Sequence, residues 1–193
     1  RLGFIALLRL GDKTSSIFSH EHTRIEAKED RLKLIREVNA NLSPIFILSK
    51  DNKRVIQRVY EQHIKNTPAF MEAKDNDSTV HKIWRIDSPV VLNMIQSGMQ
   101  KEDLFIADGH HRYEVACAYR DQMRQRLGET TGEESFNYAL AYFTNPDPRG
   151  LLILPIHRLL RLERDFDFDK LKNELKHYFD LEELKDKTEF FFL

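Results

Sequence analysis

Hydrophobic residues follow two spacings along this chain, and the spacing predicts the type of each element. Alternating or continuous short apolar runs predict strands, which are Gly3–Leu10 (a buried strand), Pro44–Ser49, Val80–Ile86, Leu104–Ala107, Tyr138–Thr144 and Leu151–Ile156. Apolar residues spaced three or four apart predict helices, which are Arg24–Asn41, Lys53–Ile64, a helix starting at Ser88-Pro89, Tyr113–Leu127 and Phe168–Phe179 after an Asp167 cap. The segment Pro68–Thr79 is predicted to be a loop. Strands and helices interleave, so we expect an α/β (α+β) fold with layered packing.

Composition excludes several classes of protein. The chain has 193 residues, of which 41% are hydrophobic and 32% charged, as in ordinary globular proteins. The net charge of −1 argues against electrostatic binding to nucleic acid. No apolar run approaches the ~20 residues of a membrane span. The single cysteine excludes an internal disulfide framework, so we expect a cytoplasmic location. The first residue is not Met and the last residues are apolar, from which we expect a fragment of a longer chain.

The segment richest in chemical groups is the turn after the strand Leu104–Ala107. It reads Asp108-Gly109-His110-His111-Arg112 and leads into a helix, whose first N–H groups attract anions. Glycine lets the backbone approach a ligand, and an arginine can bind two phosphate oxygens at once. Adjacent histidines on a helix point about 100° apart, which suits different oxygens of one phosphate chain better than one metal. We therefore predict a phosphate site, with Asp108 as a magnesium ligand; the alternative is a plain strand-to-helix connection.

A second candidate is the segment Ser19–Thr23, which contains His20-Glu21 followed by His22. A histidine beside a carboxylate suits proton abstraction, because the imidazole can orient the acid. The same residues are also compatible with a solvated turn in which Thr23 caps the next helix. A metal site is a further alternative, since His20 and His22 would share one face of a strand.

Other polar and aromatic residues are less informative. His157-Arg158 closes an apolar run and is either a second cationic wall of the site or the solvated end of an edge strand. Cys117 stands among small apolar residues and is predicted to be a packed core thiol, and Trp84 is predicted to be in the core. The chain has no Walker-type lysine loop and no dinucleotide glycine fingerprint.

Several short motifs, taken in order, resemble a known family. They are SHEHT, EDRL, SPIF, H-x-x-W, IADGHHRY and LPIHR, and they extend from Ser19 to Arg158. They are similar to a bacterial and archaeal family of unknown function that is related to the free L-serine kinases and belongs to the ParB/sulfiredoxin-like superfamily. The resemblance implies a mixed sheet with flanking helices. It also implies a nucleotide-binding core over residues 1–160 and the start of a truncated C-terminal extension over residues 161–193.

The resemblance also implies roles for individual residues. In the serine kinases a His-Glu pair carries the catalytic base, and it matches His20-Glu21, so Glu21 would accept the proton of the serine hydroxyl. The turn from Asp108 to Arg112 would lie against the phosphates of ATP or ADP and the Mg²⁺ ion, with Asp108 counted among the catalytic groups and Gly109, His110, His111 and Arg112 in cofactor binding. Sulfiredoxins need a cysteine directly after the glycine, and here that residue is His110. Sulfinic acid repair is therefore not expected.

Three functional hypotheses follow. The first is phosphoryl transfer from ATP or ADP to free L-serine or a similar hydroxyl compound, by a protein that also forms a homodimer. The second is a nucleotide-binding regulator without catalysis. The third is a metal-dependent hydrolase built on His20, His22, Asp108 and a histidine of the turn.

Overall fold

The computed structural model describes residues 1–11, 16–21, 25–128, 131–146, 151 and 166–181. These residues form strands and helices in the mixed α/β (α+β) arrangement that the sequence predicts. The strands are β1 (Phe4–Arg9), β2 (Ile17–Phe18), β3 (Ile45–Ser49), β4 (Met71–Lys74), β5 (Val80–Ile83), β6 (Leu104–Asp108) and β7 (Tyr138–Thr144). The helices are α1 (Ile25–Val38), α2 (Val55–Val59), α3 (Pro89–Met99), α4 (His110–Leu127) and α5 (Phe168–Leu175).

The main sheet brings three chain segments to one edge. Its strand order is β1-β7-β3-β6-β2. β6 runs parallel to β2 and antiparallel to β3, and Phe46 near the start of β3 stands opposite Asp108 at the end of β6. The residues after β2, the residues before β3 and the residues after β6 are therefore neighbours in space, although they are far apart in the sequence.

One face of this sheet carries the hydrophobic core, and α4 packs on that face. The alternate residues Ile45 and Ile47 of β3 and Ile106 of β6 are completely or almost completely buried, and they pack with Ala116 of α4. α1 in turn packs on α4, with an ion pair of 3.0 Å between Lys28 Nζ and a Glu114 carboxylate oxygen. The core thus fixes β6 and the beginning of α4 against each other.

The strand β1 differs from its prediction. It was expected to be buried, but Ile5 and Leu7 are 56% and 63% exposed, whereas Leu8 on the opposite face is buried. β1 pairs with β7 alone in the described part of the sheet, and the side chains that pack in the core come from the other face of the strand. A continuous apolar run therefore did not predict burial of the whole strand, because Ile5 and Leu7 point to the face opposite the core.

A hairpin replaces part of the predicted loop. β4 lies within Pro68–Thr79 and pairs antiparallel with β5, which ends at Ile83 and not at Ile86. The Asp75 carboxylate accepts hydrogen bonds from the backbone N–H groups of Asp77 and Thr79, at 3.0 and 2.9 Å, and closes the turn between the strands. The acidic turn and the strand after it were predictable from the sequence, whereas β4 is only four residues long, all of them exposed, and was not predicted.

The helices α3 and α5 begin at the predicted residues, and α5 ends before its predicted end. α3 begins at Pro89 as predicted, although the Ser88 side chain makes no capping hydrogen bond. The Asp167 carboxylate accepts from the Lys170 N–H at 2.9 Å and caps α5, which ends at Leu175. The predicted helix Lys53–Ile64 becomes α2 followed by one π-helical turn, Tyr60–Ile64.

The chain forms two compact units, Arg1–Asp147 and Pro148–Leu193. The predicted domain boundary near residue 160, the end of the predicted strand Leu151–Ile156 and the pair His157-Arg158 lie outside the described residues. Within the described ranges, no helix has both the length and the apolar character needed to cross a lipid bilayer.

We expect the core of the sheet to determine stability. Replacing the fully buried Ile47 by alanine should lower the free energy of unfolding by about 2–5 kcal/mol, because it leaves a cavity beneath α4. The matched control is Ile5→Ala on the exposed face of β1, which should cost less than about 1 kcal/mol. Urea unfolding measures both changes, and equal losses in the two variants would contradict the assignment of the core face.

Candidate functional site

The chain passes from β6 to α4 through a single residue, Gly109. Its φ of 92° lies in the left-handed region, and α4 begins at the next residue. The Tyr113 N–H donates to the Gly109 carbonyl at 2.9 Å and closes the first helical turn. The prediction of strand, tight turn and helix over residues 104–127 is confirmed, with the helix starting three residues earlier than its apolar pattern indicated.

An open cleft of about 310 Å³ lies at this turn. Residues of both predicted segments and two further residues, Arg31 and Ser43, line it. The lining consists of Glu21, Arg31, Ser43, Asp108, Gly109, His110, His111 and Arg112. Glu21 follows β2 and Ser43 precedes β3, at the edge of the sheet where β6 ends. The prediction that Glu21 shares one cavity with Asp108 and His111 is confirmed, whereas the chemical roles of these residues stay predictions.

His110 is the buried member of this group. Its ring is 3% exposed, its Nδ1 lies 3.2 Å from Glu21 Oε2, and its Nε2 lies 3.3 Å from His20 Nδ1. The Glu21 carboxylate therefore lies within ion-pair distance of the His110 imidazole. Nε2 of His110 shares a hydrogen bond with Nδ1 of His20, and the tautomers of the two rings decide which nitrogen donates. Both ring nitrogens thus face protein groups, in contrast to the phosphate contact expected for this residue.

The Arg112 guanidinium folds back over the turn. One nitrogen donates to the Asp108 carboxylate, and the other donates to Ser43 Oγ at 2.9 Å and to the carbonyl oxygen of Pro44 at 2.6 Å. A Cβ atom on Gly109 would lie 2.9 Å from Nε of Arg112. Gly109 is therefore required twice, because the backbone is left-handed and because the guanidinium lies against its Cα. The cation fastens the end of β6 to the start of β3.

Arg31 and Ser43 also line the cleft, although no functional role was predicted for either of them from the sequence. Arg31 stands in a charge-rich helix that looked like a solvated face, and Ser43 precedes a strand. A signal was nevertheless present, since Arg31 belongs to the EDRL motif and Ser43 to the SPIF motif. The cleft thus brings residues of four of these motifs together in space.

Metal binding depends on which groups converge. Among the described residues, no three His, Cys, Asp or Glu side chains are arranged to hold a metal ion, and His22 lies outside those residues. A single carboxylate such as Asp108 is compatible with magnesium, because its side chain is 73% exposed and Mg²⁺ is often held by one or two carboxylates together with substrate phosphates. The chemistry of the cleft therefore fits a magnesium ion that arrives with a phosphorylated ligand.

Two other predicted residues have structural positions. Cys117 packs against the core of the sheet, and burial raises the pKa of its thiol, so the thiol stays protonated near neutral pH. Trp84 was predicted to be in the core but is only half-buried, with its indole N–H donating to the Thr67 carbonyl at 3.1 Å and its ring edge-on to Tyr60. Neither residue lines the cleft.

A protein-family model matches residues 1–193, the whole of the sequence, and its description is "Protein of unknown function (DUF1015)". The chain belongs to the DUF1015 family. No curated protein and no solved structure matches it. Membership in the DUF1015 family confirms the resemblance to a family of unknown function, and the relationship to serine kinases stays a prediction.

Replacing Gly109 by alanine should destabilise the protein through the guanidinium as well as through the backbone. The left-handed backbone alone costs about 1–2 kcal/mol, and displacing Arg112 from its three partners adds to that cost. In an Arg112→Ala background only the backbone cost remains, so a double-mutant cycle by urea unfolding should give a coupling of about 1 kcal/mol. Additive effects would show that the guanidinium does not depend on Gly109.

Proposed function

We propose that this protein is a nucleotide-dependent kinase of small molecules, which transfers a phosphoryl group to the hydroxyl of free L-serine or a similar compound. The observation that carries the proposal is the common cleft of Glu21, Asp108 and the start of α4. Phosphoryl transfer requires a held donor, neutralisation of its charge and a base beside the acceptor. The start of α4 is the candidate for holding the donor, Asp108 for binding the ion that neutralises its charge, and Glu21 for the base.

The donor phosphates would lie at the beginning of α4. The first N–H groups of a helix have no intrahelical acceptor and point toward a bound anion, and the helix dipole favours negative charge there. Gly109, His111 and the Arg112 guanidinium that lies against Gly109 line the same cleft. Asp108 would hold the Mg²⁺ ion that accompanies ATP or ADP, and that ion would neutralise charge on the phosphates.

Glu21 is the candidate general base. Its side chain is 56% exposed, so an acceptor hydroxyl has access to the carboxylate. In the transfer, the hydroxyl oxygen forms a bond to the terminal phosphorus, the bond to the leaving nucleotide breaks, and the hydroxyl proton passes to Glu21. His110 would act here as a positioning residue, because its Nδ1 lies 3.2 Å from one oxygen of this carboxylate.

The product distinguishes this proposal from the other hypotheses. Protein incubated with Mg²⁺, L-serine and either ATP or ADP should form O-phosphoserine, which mass spectrometry detects. Saturable nucleotide binding without phosphorylation of serine or a related hydroxyl compound would favour a regulator. Tightly bound stoichiometric zinc or iron would favour the hydrolase.

The exchange Glu21→Gln should remove the base and leave the shape of the cleft unchanged. Turnover should fall by about 10²–10⁴, while nucleotide affinity changes little. Cys117→Ala is the control, since this thiol packs in the core away from the cleft and should affect only stability. Full activity in Glu21→Gln would exclude this residue as the base.

Asp108→Asn should separate metal binding from proton abstraction. An amide is a weaker magnesium ligand than a carboxylate, so the Mg²⁺ concentration needed for half-maximal activity should rise roughly tenfold. The control is Asp103→Asn, an exposed aspartate just before β6 that does not line the cleft. Unchanged magnesium dependence in Asp108→Asn would place the metal elsewhere.

A further inference from the structure

A second, smaller cavity adjoins the cleft. It has a volume of about 70 Å³ and lies between α1, the segment that leads into β3 and the first two turns of α4. Arg31, Ser43 and Arg112 line both the cavity and the cleft, so the two spaces meet at these side chains. The two spaces therefore form a groove with a polar end at Asp108 and a second end of different character.

The second end is apolar. Its wall includes Leu34 and Ile35 of α1, Leu42 of the segment before β3, and Val115 of α4. Leu42 is 63% exposed and Leu34 is 45% exposed, although both border the cavity. A ligand that covers such side chains gains free energy in proportion to the apolar area that it removes from water. The amide of Asn41, which also lines the cavity, offers a donor and an acceptor to the edge of that ligand.

We propose that this cavity binds the base of the donor nucleotide, an inference that rests on the proposed function. Val115 stands six residues beyond Gly109, about 9 Å along the axis of α4, which is a distance of the order that a ribose and its phosphates span. The nucleotide then lies along α4 with its phosphates at the turn and its flat ring against the leucines. The guanidinium groups of Arg31 and Arg112 flank the passage between the two ends and suit contact with phosphates and with an aromatic face.

The acceptor is a poorer occupant of this cavity. Free serine carries charged groups and one hydroxymethyl group, so it would gain little from a wall of leucines. Its hydroxyl must also lie within about 3 Å of the base, and Glu21 lines the cleft but not the second cavity. Charge and geometry therefore assign the polar end to the acceptor and the phosphates, and the apolar end to the base.

The test compares ATP with inorganic tripolyphosphate, both with Mg²⁺, by isothermal titration calorimetry of the full chain. Tripolyphosphate carries the phosphate chain without the nucleoside, so we expect ATP to bind about tenfold more tightly. Leu42→Ser should weaken ATP binding roughly fivefold and leave tripolyphosphate binding unchanged. The matched control is Leu7→Ser, because Leu7 is also 63% exposed but lies on β1, and it should change neither affinity.

A second variant tests the same cavity by filling it with a larger side chain. Ala40 is exposed and lines the cavity but not the cleft, so Ala40→Trp should reduce ATP affinity to that of tripolyphosphate without disturbing the core. Equal binding of ATP and tripolyphosphate in the unchanged protein would overturn the base site and retain the phosphate site. Failure of both ligands to bind would overturn the proposed function together with this inference. A higher KM for serine with unaltered ATP binding in either variant would assign the cavity to the acceptor and reject our proposal.

Discussion

At Gly109 one left-handed residue converts the extended backbone of β6 into the helical backbone of α4, and the geometry of the cleft depends on it. The direction in which α4 leaves the sheet decides which side chains of its first turn point inward. His110 turns into the protein toward Glu21, while Arg112 returns over the glycine to Asp108. A side chain at this position would meet the guanidinium, so the same residue sets the direction of the helix and makes room for the cation.

The buried core of the sheet fixes the positions of the strands that lead to the cleft. Ile106 in β6 and Ile47 in β3 are completely buried, so the strands that lead to Asp108 and away from Ser43 cannot shift without disturbing the core. Hydrogen bonds from Arg112 to Ser43 and Pro44 then connect these two strand ends directly. On the proposed function, such a rigid base would keep the donor phosphates and the proton acceptor in fixed relation.

The sequence predicted local features well and tertiary environments less well. The turn at Gly109 was predictable because glycine, a preceding apolar run and a following helix act over a few residues. The exposure of Ile5 and Leu7 was not, because it depends on which elements cover a sheet face. The burial of His110 was not predictable either, since it follows from the pairing of β6 with β2. The EDRL motif marked Arg31, but its place in the cleft follows from the packing of α1 on α4.

Charge balance in the cleft bears on how a nucleotide would bind. Two guanidinium groups, of Arg31 and Arg112, face two carboxylates, of Glu21 and Asp108, so these side chains give no excess of positive charge. Bare polyphosphate would meet the carboxylates unfavourably, whereas a magnesium complex brings its own positive charge to Asp108. Arg112 would then exchange its carboxylate partner for a phosphate oxygen, a replacement of one charge-assisted hydrogen bond by another. On the proposed function, metal and nucleotide therefore bind together, because each supplies the partner that the Asp108–Arg112 pair loses.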